Sequence, residues 1–136
     1  MQKLLILILF SCCWSFSSLT FSEEVKAALI DPRTGILLQS FPDDLMFYES
    51  WQAPPISAQA KALRKERLVH DLRVVQKALR RFPADFARLY LERVYLLQSL
   101  TFYDLSYGGT NDDVTLFLTS AAHYPENFLE KTFYHE

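Results

Sequence analysis

The residues with the most chemical content stand at the end of the chain, where Glu130-Lys131-Thr132-Phe133-Tyr134 leads into His135-Glu136. On a helix, adjacent His and Glu open the pattern H-E-x-x-H, in which the imidazole binds a metal and the carboxylate sits beside the metal-bound water. The metal lowers the pKa of that water and polarises a substrate carbonyl. The Glu takes the proton and can pass it to a leaving amine. The second His of the pattern falls one turn later, at position 139, beyond the last residue of the sequence. His70 and His123 are the other histidines, and neither stands four residues from His135. The sequence therefore offers one imidazole where a catalytic zinc usually takes three protein ligands.

The elements that must position this pair can be read from periodicity. Pro125 can occupy the first turn of a final helix, with Glu126 near its positive end. Phe128, Leu129, Thr132 and Phe133 then share one side, and His135 lies close to that side. Upstream, Leu68, Leu72, Val75, Leu79 and Phe82 recur at spacings of four and three, the apolar stripe of a long amphipathic helix. Ser57 is its expected N-cap and Phe82-Pro83 its end. Asp85 to Tyr90 opens a short helix; residues 94–97 and 100–103 are rich in β-branched and aromatic types and favour strand. Gly108-Gly109 breaks this run, Asn111-Asp112-Asp113 reads as a turn or loop, and residues 114–119 alternate as a strand. Residues 27–30 and 35–38 read as brief strands flanking the turn at Asp31-Pro32. Tyr95, Phe102, Tyr103 and Phe117 are expected contributors to the core. Gly108-Gly109 lacks the spacing and the Lys-Ser/Thr of a phosphate loop, and Asp112-Asp113 alone is too few ligands for calcium.

The first nineteen residues carry an independent signal. Lys3 precedes an apolar run at residues 4–10, which is too short for a bilayer span of roughly 20 residues and fits a secretory h-region. Leu9-Phe10-Ser11-Cys12 has the form of a bacterial lipobox, whose Cys becomes the lipidated first residue of the mature protein. The alternatives are a simple export signal cleaved after residues 14–18 and an uncleaved apolar N-terminus. With Cys12 and Cys13 the only cysteines, cleavage leaves no disulfide framework. Lipidation at Cys12 would anchor the protein to a membrane, each buried CH₂ adding about 0.8 kcal/mol.

The net charge of −2 conceals an uneven distribution. Lys61, Arg64, Lys65, Arg67, Arg73, Lys77, Arg80 and Arg81 face only Glu66 and Asp71, whereas acidic residues outnumber basic ones from Asp85 onward. A net acidic chain whose positive charge is confined to one helix is a poor nucleic-acid binder. That helix reads first as solvated, and second as a face for phosphate or lipid headgroups.

Tyr107-Gly108-Gly109-Thr110, Leu118-Thr119, Tyr124-Pro125 and the run from Phe128 to Glu136 together resemble a family of zinc-binding metallopeptidases. These are exported lipoproteins of Bacteroidetes-type bacteria. The similarity is densest over residues 96–136. It implies an α+β chain: a partial zincin-like metallopeptidase domain with a long amphipathic helix, a small sheet and the start of the active-site helix. Within it, His135 would be a zinc ligand and Glu136 the general base. The strand at 114–119 would be an edge strand, offering Thr115, Phe117 and Thr119 to an extended peptide or protein substrate. Family members often have His-His-Glu where this chain has Tyr134-His135-Glu136. The expected organisation is an export and lipobox region at 1–19, a tether with short strands at 20–55, and the N-terminal part of the zincin-like domain at 56–136. The chain is then expected to be an inactive fragment of an exported, lipid-anchored peptidase of the cell envelope, zinc being bound by the full-length relative and not by these residues alone. The alternative is a non-catalytic envelope lipoprotein that binds a peptide, glycan or partner protein.

Overall fold

The computed structural model describes residues 26–121, 123–125 and 127–136. The expected export segment and Cys12 lie outside the described residues. In chain order the elements are β1 (Ala28–Ile30), β2 (Leu37–Gln39), α1 (Glu49–Gln52), β3 (Gln59–Ala62), α2 (Lys65–Leu79) and α3 (Ala84–Tyr90). They continue with β4 (Arg93–Phe102), β5 (Leu105–Ser106), β6 (Gly109–Asp112), β7 (Thr115–Thr119) and α4 (Phe128–His135). The class is α+β, with one mixed, seven-stranded sheet ordered β1-β2-β4-β7-β6.

The long strand β4 organises the sheet. Its first half runs parallel to β2 on one side and to β7 on the other, with Val94 opposite Leu38 and Leu116. Its second half pairs antiparallel with β3 and with β5. Both faces of the central strands are covered, so β4 and β7 read as nearly continuous apolar runs. Val94, Leu96, Leu116 and Leu118 point to the side bearing the helices, where they meet Val75, Leu79, Leu129 and Phe133. Tyr95, Leu97 and Phe117 point the other way, under Phe47, Trp51 and Ile56.

Alternation slips once along β4. Lys61 opposes Ser99 but Ala62 opposes Leu97, so Gln98 is an extra residue, a β-bulge. Leu100 and Phe102 therefore join Tyr95 and Leu97 on the aromatic side, where unbroken alternation would have sent them to the helices.

Several local expectations differ from the outcome. The amphipathic helix starts at Lys65, with Arg64 as N-cap; Ser57 has φ +47° and caps nothing. Residues 59–62 go to β3 because the unpaired edge of β4 offers them a ladder, a tertiary preference that overrides local helix propensity. Tyr103 is half exposed and forms with Asp104 the two-residue turn between β4 and β5, both at positive φ, as a type I′ hairpin requires. Pro125 precedes α4, whose N-cap is Asn127.

Residues 26–55 are part of the folded body and not a tether. The brief strands form as β1 and β2, an antiparallel pair, and Ile36, Leu38 and Met46 are buried. Asp31 closes the intervening turn by accepting from the backbone N–H of Thr34 at 2.9 Å and its hydroxyl at 2.6 Å. Arg33 then reaches the carbonyls of Leu79 and Phe82, at 2.5 and 3.0 Å, satisfying groups that the end of α2 leaves open. None of the helices among the described residues is long and apolar enough to cross a membrane.

Candidate functional site

α4 delivers His135 and Glu136 to one end of the sheet. Leu129 and Phe133, one turn apart, are buried against the helix-side core, and Arg81 of the α2–α3 connection pairs with Glu130 at 3.1 Å. This seating leaves His135 and Glu136 exposed at the helix terminus, beside β6. Contact there is close: a Cβ added at Gly109 would lie 2.6 Å from Thr132 Cγ2 and 3.3 Å from Glu136 Cγ. Asn111 Nδ2 donates to the Glu136 backbone oxygen at 2.6 Å, and the Glu136 N–H donates to Thr132 O at 3.1 Å. The last turn of α4 is therefore tied to the strand, where unsatisfied carbonyls would otherwise favour fraying.

The strand beside the pair is not the one anticipated. β7 is paired on both sides, with β4 and with β6, so Thr115, Phe117 and Thr119 offer no open ladder. Phe117 is fully buried among aromatics and Thr119 donates its hydroxyl to Gly108 O at 2.8 Å. Only Thr115 keeps partial exposure. The edge is β6, because the chain turns back through Asp113-Val114 and Gly109 to Asp112 form a strand where a loop was expected. Thr119 N–H bonds Gly108 O at 2.9 Å, and by antiparallel alternation the N–H and C=O of Gly109 and Asn111 point outward. Tyr48 donates its hydroxyl to Asp112 at 2.8 Å, pinning β6 from the other face. That bond comes first in raising the Tyr48 pKa, ahead of desolvation and the charges of Asp112 and Asp113.

Behind Glu136 lies a cavity of about 290 Å³ with Leu79, Phe82, Phe86 and Phe133 in its walls and Asn111 and Asp113 at its rim. Its size is at the lower end for small-ligand pockets, and apolar walls with a few polar groups are their usual construction.

The histidines are dispersed over the fold. His70 lies on α2 with Nδ1 2.9 Å from Asp71 Oδ1. His123 precedes α4, at the opposite end of that helix from His135, and packs edge-on against Tyr124. Among the described residues, no group of three or more His, Cys, Asp or Glu is placed to hold a metal. His135 and Glu136 are thus two donors without a third beside them among the described residues, short of the three that a catalytic zinc usually takes from protein.

On the aromatic side a second polar group carries perturbed titrations. Tyr95 stacks on Phe117 with centroids 5.4 Å apart and donates to Asp43 Oδ1 at 2.8 Å, while Arg93 donates to the Tyr95 oxygen at 2.7 Å. Burial opposes ionisation of Asp43, but hydrogen bonds from Gln39, Tyr95 and the Leu45 N–H, with the Arg93 charge, outweigh it and hold its pKa below 3.8. Burial, with help from Asp43 and against Arg93, pushes the Tyr95 hydroxyl from 10.0 up to about 12.

Because the folded-state pKa of Tyr95 is raised, its contribution is fully present below pH 10.0 and is lost as pH rises through about 12. The unfolding free energy of the wild type is expected to fall more steeply over that window than that of Tyr95→Phe. Parallel pH profiles from urea titrations of the two proteins would contradict this.

No protein-family model, curated protein or solved structure matches the chain.

Proposed function

We propose that the chain is the substrate-holding part of a zincin-type metallopeptidase domain, exported to the cell envelope and lipid-anchored through Cys12. In this reading β6 takes an extended peptide as an added strand. His135 and Glu136 occupy the positions of a zinc ligand and a general base beside it. The observation that carries the reading is the close seating of the last turn of α4 on an open sheet edge. Strand addition draws affinity from main-chain hydrogen bonds and specificity from side-chain pockets. Gly109 and Asn111 would supply the former, and the apolar cavity behind Glu136 would take a large side chain. The described residues alone are assigned peptide holding and not hydrolysis, which also accommodates a non-catalytic envelope protein that binds peptides.

Amide hydrogen exchange tests this reading. A panel of extended, proline-free peptides at millimolar concentration should slow exchange at the Gly109 and Asn111 amides and leave the peptides intact. Pairing through the main chain tolerates sequence, so at least some of the panel should act. Unchanged exchange at both amides across the whole panel would overturn it.

A further inference from the structure

A second pocket lies away from the His-Glu pair, at the start of α2. It occupies about 350 Å³ between β3, the bulged middle of β4, β5 and the segment that follows β7. Three cationic residues, Lys61, Arg64 and Arg67, line it together with Ser99, Ser106, Ser120 and His123, and no carboxylate residue does so among the described residues.

Each Arg is held by a specific partner. Arg67 Nε donates to Ser120 Oγ at 3.2 Å, and Ser120 is only 5 % exposed. Its Nη2 lies 3.2 Å from Oδ1 of Asp71, a fully buried carboxylate. Arg64 Nε and Nη2 reach the side-chain oxygen of Gln98, the bulge residue, at 3.2 and 3.1 Å once the amide is oriented to accept them. Lys61 takes part in no ion pair among the described residues.

We propose that this pocket binds a phosphomonoester dianion. The charge count favours phosphate over carboxylate. Asp71 offsets one of three positive charges, and the two that remain match a group carrying about −1.5 to −2 at neutral pH. Geometry favours it as well, since the guanidinium N–H groups of Arg64 and Arg67 that Gln98, Ser120 and Asp71 leave over, together with hydroxyl donors, can converge on a tetrahedral oxyanion. Ser120 accepts from Arg67, which leaves its own proton for a ligand oxygen. Leu100, Tyr107, Ala121 and Tyr124 also line it, a stretch apolar enough for an organic substituent on the phosphate.

The test is an NMR titration of the full chain at physiological salt with phenyl phosphate, inorganic phosphate and benzoate. Saturable shifts at the Ser99, Ser106 and Ser120 amides are expected with both phosphates, and benzoate should bind at least roughly tenfold more weakly, having one charge fewer. Tighter binding of phenyl phosphate would identify an organic ester as the ligand, and equal binding a free phosphate, each supporting the site. Lys61→Ala should weaken binding by roughly tenfold, the weight of one charged hydrogen bond. Because Lys61 is exposed and unpaired, its melting temperature should not change. Arg64→Ala serves as a second variant with the same expectation for binding. Absence of saturable shifts with phenyl phosphate, benzoate binding as tight as phosphate, or unaltered affinity in both variants would each overturn the proposal.

Discussion

Phe117→Ala is expected to remove about 3–5 kcal/mol of stability, the usual cost of truncating a fully buried aromatic. Phe117 is completely buried, stacks on Tyr95 and lies within 6.4 Å of the ring centroids of Phe47 and Trp51. Truncation leaves a cavity that the stacked ring of Tyr95 cannot fill without giving up its hydrogen bonds to Asp43 and Arg93. A domain of this size has a total stability of about 5–15 kcal/mol, so the loss is a large share of it. Urea unfolding followed by tryptophan fluorescence is a suitable readout, because Trp51 is in the same cluster. Phe117→Leu, which keeps most of the volume, should retain well over half of the lost stability. A cost below about 1 kcal/mol for Phe117→Ala would show that this aromatic layer does not hold the second face of the sheet.

The other large effect is expected at Gly109. An alanine there puts its Cβ 2.6 Å from Thr132 Cγ2 and 3.0 Å from the Phe117 carbonyl oxygen, closer than atoms tolerate. Either β6 or α4 must move, at a cost of about 1–3 kcal/mol. The movement would also separate Glu136 from the edge that Gly109 and Asn111 present. Thr132→Ser removes the nearer atom and keeps the hydroxyl that donates to Phe128 O at 2.9 Å. The double variant should therefore be more stable than the sum of the two single changes predicts, by about 0.5–2 kcal/mol, as for other residues in direct contact. Simple additivity would mean that the strand and helix are not in the contact described.

The helices were legible in the sequence where their apolar spacing was regular. The stripe from Leu68 to Phe82 and the seating of Leu129 and Phe133 follow from periodicity alone, and the strand at 94–97 from its β-branched and aromatic composition. What could not be read depends on pairing between distant segments. Nothing local marks residues 59–62 as a strand, since their alanines fit a helix as well; β4 decides it. The family resemblance places the open edge at Thr115, Phe117 and Thr119, and Gly108-Gly109 with Asn111-Asp112-Asp113 reads locally as a loop. Gly109 is a strand residue and Gly108 immediately precedes the strand, and the missing side chains of both admit α4. The basic run reads first as a solvated helix face and second as a face for phosphate or lipid headgroups, and its spacing does not say which of its residues meet. Burial of Asp71 and the turn from β3 into α2 gather Lys61, Arg64 and Arg67 around one cavity, a clustering that linear spacing does not disclose.

The bulge at Gln98 has a genetic consequence. Loss of that one codon removes the extra residue and restores plain alternation, so Leu100 and Phe102 keep their places in the aromatic layer while Arg64 loses its acceptor. Loss of the Thr101 codon, beyond the bulge, instead sends Phe102 to the opposite face. A substitution at position 98 removes only the side chain. The domain carries, in the middle of its longest strand, a point where length can vary while both faces keep their residues.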